Sequence, residues 1–361
     1  MINKFIITIL MFFMIIGALD KIFGNKYGYG KAFEKGYNVM GSLSLAMIGA
    51  ISISPVLANI LFPIITPIYN LIGADPGMFP PSILAIDMGG YTMAKSITSD
   101  PNIHIFGGLI IGSMLGTTII FTIPIALNII EKKDLRYFSK GIIIGISILP
   151  IGAFLGGLVA KINTKILIIN SIPIVLFSIF VSIGLIYFTK FILDSFYYLS
   201  KFIFGGIILI LLIGSIQTYT DIIIIHNLLP LDKGFLIVGK IAIILSGAFP
   251  LIFFIEKHFE KNLIEFGKKL DINKETTVGI LGSLANNIVA LEKLKDMNPK
   301  GKILCTSFLV SGSFTFGGQL GFIANIDSKY IFPVIVAKLT NGILAVLLAH
   351  FLISKNILSE K

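Results

Sequence analysis

The chain has 361 residues, of which 55% are hydrophobic and 13% charged, and a mean hydropathy of +0.93. Many apolar runs of about 20 residues, each long enough to cross a bilayer, exclude an ordinary soluble protein. The net charge of +10, nearly all of it lysine with Arg136 the only arginine, reads as basic cytoplasmic loops rather than a nucleic-acid surface, and the single cysteine, Cys305, excludes an internal disulfide framework.

In chain order, nine spans are expected. They run Phe5 to Phe23, Asn38 to Leu61, Ile105 to Ile130, Gly141 to Ala160, Ile166 to Phe188, Phe202 to Thr218, Gly234 to Ile255, Ile303 to Ile326 and Tyr330 to Ile353. No A-x-A cleavage site follows the first apolar stretch, so it reads as a retained helix. Two shorter segments, Phe79 to Ile97 and Thr277 to Leu294, are interrupted by Gly89-Gly90 and Asn286-Asn287. Phe62 to Ile72 and Phe259 to Leu270, each just before an interrupted segment, read as interfacial helices.

An internal repeat is visible at a spacing near 198 residues. KGYNVMGSLSLAMIGA (35–50) aligns with KGFLIVGKIAIILSGA (233–248), and ILAIDMGGYTMAKSI (83–97) with ILGSLANNIVALEKL (280–294). Counting lysines and the one arginine tests how the halves are oriented. If both interrupted segments are re-entrant hairpins, one face carries 21 basic residues and the other 6; if both cross fully, the split is 14 to 13. The positive-inside rule favours hairpins, and hairpins turn the second half upside down relative to the first. The expected fold is therefore all-α: a polytopic membrane protein with about nine spanning helices plus two re-entrant hairpins in an inverted repeat. Residues 1–160 form the first repeat (hairpin 79–97), 161–195 a linker helix, and 196–361 the second (hairpin 277–294).

Asp87 is the residue that most demands a role, because an acid in hydrocarbon costs about 2.5 kcal/mol or more. At an unwound tip it joins the carbonyls of a half-helix end in favouring a cation, so it is expected to bind the ammonium of a small solute, with Gly89, Gly90 and Tyr91 shaping the tip. The alternative is an acid that simply reaches water near a loop. Asn286 and Asn287 offer amides that donate and accept, as a hydroxyl-bearing solute needs, or are merely turn formers. Gly108, Gly112 and Gly116, and likewise Ser307, Ser311 and Thr315, give small faces for packing around the tips. Ser113, Thr117, Thr118, Ser313 and Gln319 are candidates for further polar contacts. Lys338, about eight residues inside the last span, either pairs with Asp87, acts as a fixed charge in place of a coupling ion, or belongs to a structural ion pair.

Signals for enzymes are weak. GFLIVGKI (234–241) has a P-loop skeleton but ends in isoleucine inside a span, and His104, His226, His258 and His350 lack metal-ligand spacing. No cofactor or metal is expected, nor enzymatic activity.

FFMIIGALDKIFGNKYG near the N-terminus, SPVLANIL, GADPGMF, DMGGY, FTIPIAL and FGGQLGF together resemble the EutH family of ethanolamine utilization transporters over essentially the whole chain. The resemblance implies a multi-pass permease of the inner (cytoplasmic) membrane that admits ethanolamine, chiefly protonated, to feed a cobalamin-dependent lyase usually housed in a microcompartment. Where many members have an Asp-His pair this chain has Gly318-Gln319, and where many have proline it has Thr92, so it lacks that pair for proton coupling or pH sensing. Ethanolamine and the lipid bilayer are the expected partners, with a homo-oligomer possible. Three other readings compete: the membrane subunit of a sodium-translocating decarboxylase-type pump, another small-cation transporter, and a non-transporting sensor or scaffold.

Overall fold

The computed structural model describes residues 2–220, 222–355 and 357, and among these the chain is helical, without strands. Helices α1 (Ile2–Ile22), α2 (Tyr29–Asn38) and α3 (Met40–Leu71) lead to a short pair, α4 (Phe79–Ile83) and α5 (Tyr91–Ile97). Then come α6 (Pro101–Ile129), α7 (Leu135–Val159), α8 (Thr164–Tyr187), α9 (Thr189–Thr220) and α10 (Leu231–Lys269). A second short pair, α11 (Lys274–Ser283) and α12 (Asn287–Lys293), precedes α13 (Pro299–Gly312), α14 (Gly318–Asp327) and α15 (Ile331–Ser354). Eight helical stretches among the described residues are long and apolar enough to cross a membrane. The most enclosed is α6, whose apolar window is 89% buried; α9, at 11%, lies on the periphery.

The structure corrects two expectations. The span expected over Ile303 to Ile326 is broken: α13 stops at Gly312, Ser313 is extended and Phe314 is left-handed at φ 60°. The released amides find partners elsewhere, since Phe314 N donates to Ser283 O at 2.9 Å and Phe316 N to Leu284 O at 2.8 Å. Tertiary hydrogen bonds have replaced helical ones, as buried backbone groups require. The expected interfacial helix over Phe62 to Ile72 is not separate either, because α3 runs unbroken to Leu71 through Pro55, Pro63 and Pro67. The segment from Phe259 similarly continues α10, which carries Pro250; several side chains of that segment lie outside the described residues. Proline removes one helical bond each time, but an apolar surround gives the remaining backbone groups no alternative to the helix.

The same local devices recur 198 residues apart. Asp75 and Asn273 cap the helical turns that open the short pairs, accepting from Gly77 N at 2.7 Å and Thr276 N at 3.3 Å. Asp100 and Asn298 cap α6 and α13, and Pro101 and Pro299 follow them. Each short pair folds back on itself, with Gly90 against Leu84 and Ala85 in the first and Gly282 against Val289 in the second. Each is clasped at its base, by Thr98 Oγ1 donating to Asp75 at 2.7 Å and by Asn273 Nδ2 donating to Asp296 O at 2.8 Å. A buried ion pair, Lys302 Nζ to Asp134 Oδ1 at 2.5 Å, ties α13 to the start of α7.

Candidate functional site between the two tips

The first tip is built by backbone geometry. Leu84 and Ala85 are extended, then Ile86–Gly90 makes one wide turn in which Gly89 has φ 98°, a value that favours glycine. Met88 N and Gly90 N both donate to Ala85 O at 3.0 Å. This turn seats against α6, much of which is wound with the wide π-type turns of His104–Gly116 and Thr118–Thr122. A β-carbon at Gly116 would fall on Leu84 O, and one at Gly112 would crowd Ile86 and Pro81, so the glycine face is where the first tip docks. The second half matches it with a different residue: a β-carbon at Gly317 would fall on Ala285 O. Ser311 does not follow the expected packing around the second tip; its Oγ instead accepts from Asn341 Nδ2 of α15 at 2.6 Å.

Between the tips lies a cavity of about 220 Å³, onto which Asp87 opens from the first tip, Ala285 and Asn286 from the second, and Gln319 from α14. Among the described residues Asp87 is the only charged one lining it; it is half-buried and makes no hydrogen bond or ion pair with another of them, while the Lys338 charge acts on it from behind the wall. An acid facing a cavity inside an apolar protein has the chemistry to attract a cation. Phe121, Phe249 and Phe314 supply aromatic wall, with the Phe121 and Phe314 rings edge to face at 5.5 Å. Rings of this kind favour an ammonium further.

The polar groups opposite are oriented. Gln319 Nε2 donates to Thr117 Oγ1 at 2.7 Å, and Gln319 Oε1 accepts from Lys338 Nζ at 2.7 Å; the same Nζ donates to Ser113 O at 2.7 Å. Lys338 makes no direct ion pair with Asp87, although the two charges lie near enough to act on each other. It lies behind the cavity wall, 1% exposed, where two oxygens satisfy it in place of a carboxylate. Asn286 Oδ1 caps α12 by accepting from Ile288 N at 3.0 Å, which leaves its amide N–H groups for the cavity.

Of the residues expected at the site, Asp87, Thr117, Asn286 and Gln319 line the cavity. Gly89 and Gly90 form the turn behind Asp87. Tyr91 is buried, edge to face with Phe322 at 5.9 Å. Asn287 points away, donating to Thr122 Oγ1 at 3.0 Å, and Ser313 donates to Leu309 O at 2.6 Å. Sequence reasoning missed the aromatic wall, since in a chain with 30 phenylalanines nothing marks Phe121, Phe249 or Phe314 as special.

Long apolar helices packed around a cavity onto which a carboxylate opens define a multi-pass membrane protein. A family model described as "Ethanolamine utilisation protein, EutH" matches residues 2–352. The chain is 43% identical over 365 residues to a Listeria monocytogenes protein named "Probable ethanolamine permease EutH", covering 100% of this chain and 96% of that one. It is 41% identical to the uncharacterized protein YxeR of Bacillus subtilis, covering 95% and 93%. A Salmonella typhimurium protein, also named "Probable ethanolamine permease EutH", is 36% identical, covering 98% and 96%. The chain belongs to the EutH family. No solved structure matches it.

Proposed function

We propose that this protein is a permease of the cytoplasmic membrane that admits ethanolamine, in its protonated form, for catabolism, and is not itself an enzyme. The observation that carries the reading is the Asp87 carboxylate, which opens onto a cavity shared by both tips and, among the described residues, has no hydrogen bond or ion pair with another residue. Ethanolamine is a small ammonium bearing one hydroxyl. The ammonium binds Asp87 between the phenylalanine walls, and the hydroxyl meets the Asn286 amide and the donor and acceptor capacity left on Gln319. Lys338 positions Gln319 by holding its Oε1. Gly89, Gly90, Tyr91, Asn287 and Ser313 hold the tips in place. The relatives named as ethanolamine permeases support the substrate.

In this reading the two short pairs are re-entrant hairpins and the halves 1–160 and 196–361 an inverted repeat joined by 161–195. The caps and clasps recurring 198 residues apart, and the 21 to 6 partition of basic residues, support it. A decarboxylase-driven sodium pump has no comparable support, because the named relatives are permeases.

Asp87→Asn keeps the shape and removes the charge. Uptake of labelled ethanolamine into proteoliposomes is expected to fall about 10- to 100-fold, the loss of one charge-assisted contact, with elution profile and Tm unchanged. Undiminished uptake by folded D87N protein would refute the assignment.

A further inference from the structure

Two buried lysines are balanced in opposite ways. Lys302 sits against a carboxylate, Asp134, at 2.5 Å. Lys338 is more deeply enclosed, 1% exposed, yet makes no ion pair among the described residues. Its Nζ donates to Ser113 O of α6 and to Gln319 Oε1 of α14, each at 2.7 Å, and both acceptors are neutral. Lys338 is the eighth residue of α15, which places it about 10 Å from that helix's start and well inside an apolar layer. A cation at that depth is costly unless an opposite charge offsets it. The opposite charge that acts on Lys338 is the Asp87 carboxylate.

Gln319 stands between the two. Its side chain lines the cavity onto which Asp87 opens, its Oε1 is held by Lys338, and its Nε2 donates to Thr117 Oγ1, another residue of the cavity wall. The Lys338 ammonium is therefore one side chain away from the solute site. Without solute, one negative and one positive charge sum to zero in this part of the apolar layer. When an ammonium enters, the sum becomes positive, and Lys338 opposes the solute that Asp87 attracts. A permease has to reorient both with its solute and, on the way back, without it. An unbalanced Asp87 would make the second step expensive, and a carrier lacking an internal cation has to borrow one from solution.

We propose that Lys338 is a built-in counter-cation for Asp87, so that the carrier returns without its solute and without a co-transported sodium ion or proton. This role rests on Asp87 being the ammonium site of a permease, and it makes transport facilitated rather than ion-coupled. A purely structural lysine would tie α15 to α6 and α14, and its loss would harm every step alike. A counter-cation matters most in the unloaded return.

Two assays in proteoliposomes separate these roles, with the membrane potential fixed by potassium and valinomycin. Net uptake of labelled ethanolamine into solute-free vesicles needs the unloaded return, whereas exchange against ethanolamine loaded inside does not. Net uptake by the parent is expected to stay within about twofold when sodium is removed or the pH gradient collapsed. Lys338→Met removes the charge from a side chain of similar length; it should lose about tenfold of net uptake, keep exchange, and lower the KM of exchange severalfold because the repulsion is gone. Lys338→Arg keeps the charge and should take up ethanolamine as the parent does. Equal loss of both activities in folded K338M, loss of neither, a selective loss of net uptake in K338R as well, or parent uptake that needs a sodium or proton gradient would each overturn the role. If the parent carries ethanolamine in neither assay, the permease reading itself fails, and this role with it. Elution and Tm identify a variant that does not fold, and the gradient dependence of the parent then decides alone.

Discussion

The two fold-backs are the same device built in two ways. The first, α4–α5, makes its tip from backbone, with extended residues, a left-handed glycine and a seat on the unbroken glycine face of α6, and it carries the one charge that lines the cavity among the described residues. The second, α11–α12, makes its tip from side-chain caps and from main-chain pairing with a broken neighbour, and it presents a neutral amide. Where the neighbouring helix stays whole, the tip supplies the chemistry. Where the neighbour breaks between α13 and α14, the break brings Gln319 to the cavity, so the second half contributes two polar groups instead of one.

The strongest test concerns what joins the halves. Asp134→Ala leaves Lys302 buried without its partner and is expected to destabilise the protein by about 3–5 kcal/mol, seen as a large fall in Tm. D134L/K302M, which removes both charges, should recover most of that loss. A small effect from the single variant would mean the halves are held together elsewhere. Gly116→Val puts methyl groups into Leu84 O and should cost about 1–3 kcal/mol while displacing the first tip, so that uptake falls along with Tm. Normal uptake by this variant would break the claim that the tip is seated on α6.

Moving the charge sharpens the comparison most directly. D87N/N286D transfers the carboxylate from one tip to the other, and aspartate caps α12 as well as asparagine does. If both tips face one volume, the double variant should regain about tenfold of the uptake lost in D87N; no regain would mean the amide does not reach the bound ammonium. The smallest effect is expected for Asn286→Ser, which keeps a cap on α12 and removes the amide from the cavity. It should reduce the preference for ethanolamine over ethylamine, which lacks the hydroxyl, by up to about tenfold, corresponding to one neutral hydrogen bond. Competition of the two amines for uptake measures it.

Much of this was readable in the residues. Asp87 stood out because an acid in an apolar run has to be explained, and the glycines after it announced a turn. The 198-residue spacing was legible in the matched blocks 35–50 and 233–248, and the structure adds paired caps such as Asp100 and Asn298 at the same spacing. The break after Gly312 was hidden, since Ile303 to Ile326 is uncharged throughout and its interruption depends on carbonyls at Ser283 and Leu284, earlier in the chain. Lys338 was visible as an anomaly, but its partners were not. An ammonium in a low-dielectric interior accepts any well-placed oxygen, and the oxygens of Ser113 and Gln319 meet it only in the folded protein.

The prolines of α3 and α10 carry a mechanical consequence. Both helices line the cavity, through Leu43 and Ala46 on one side and Leu245 and Phe249 on the other. At Pro55 and Pro250 the backbone has already given up a bond of its ladder, so flexing there sacrifices nothing further. Two walls of the chamber are thus creased in advance, and a rod of 32 or 39 residues can hinge without first being broken.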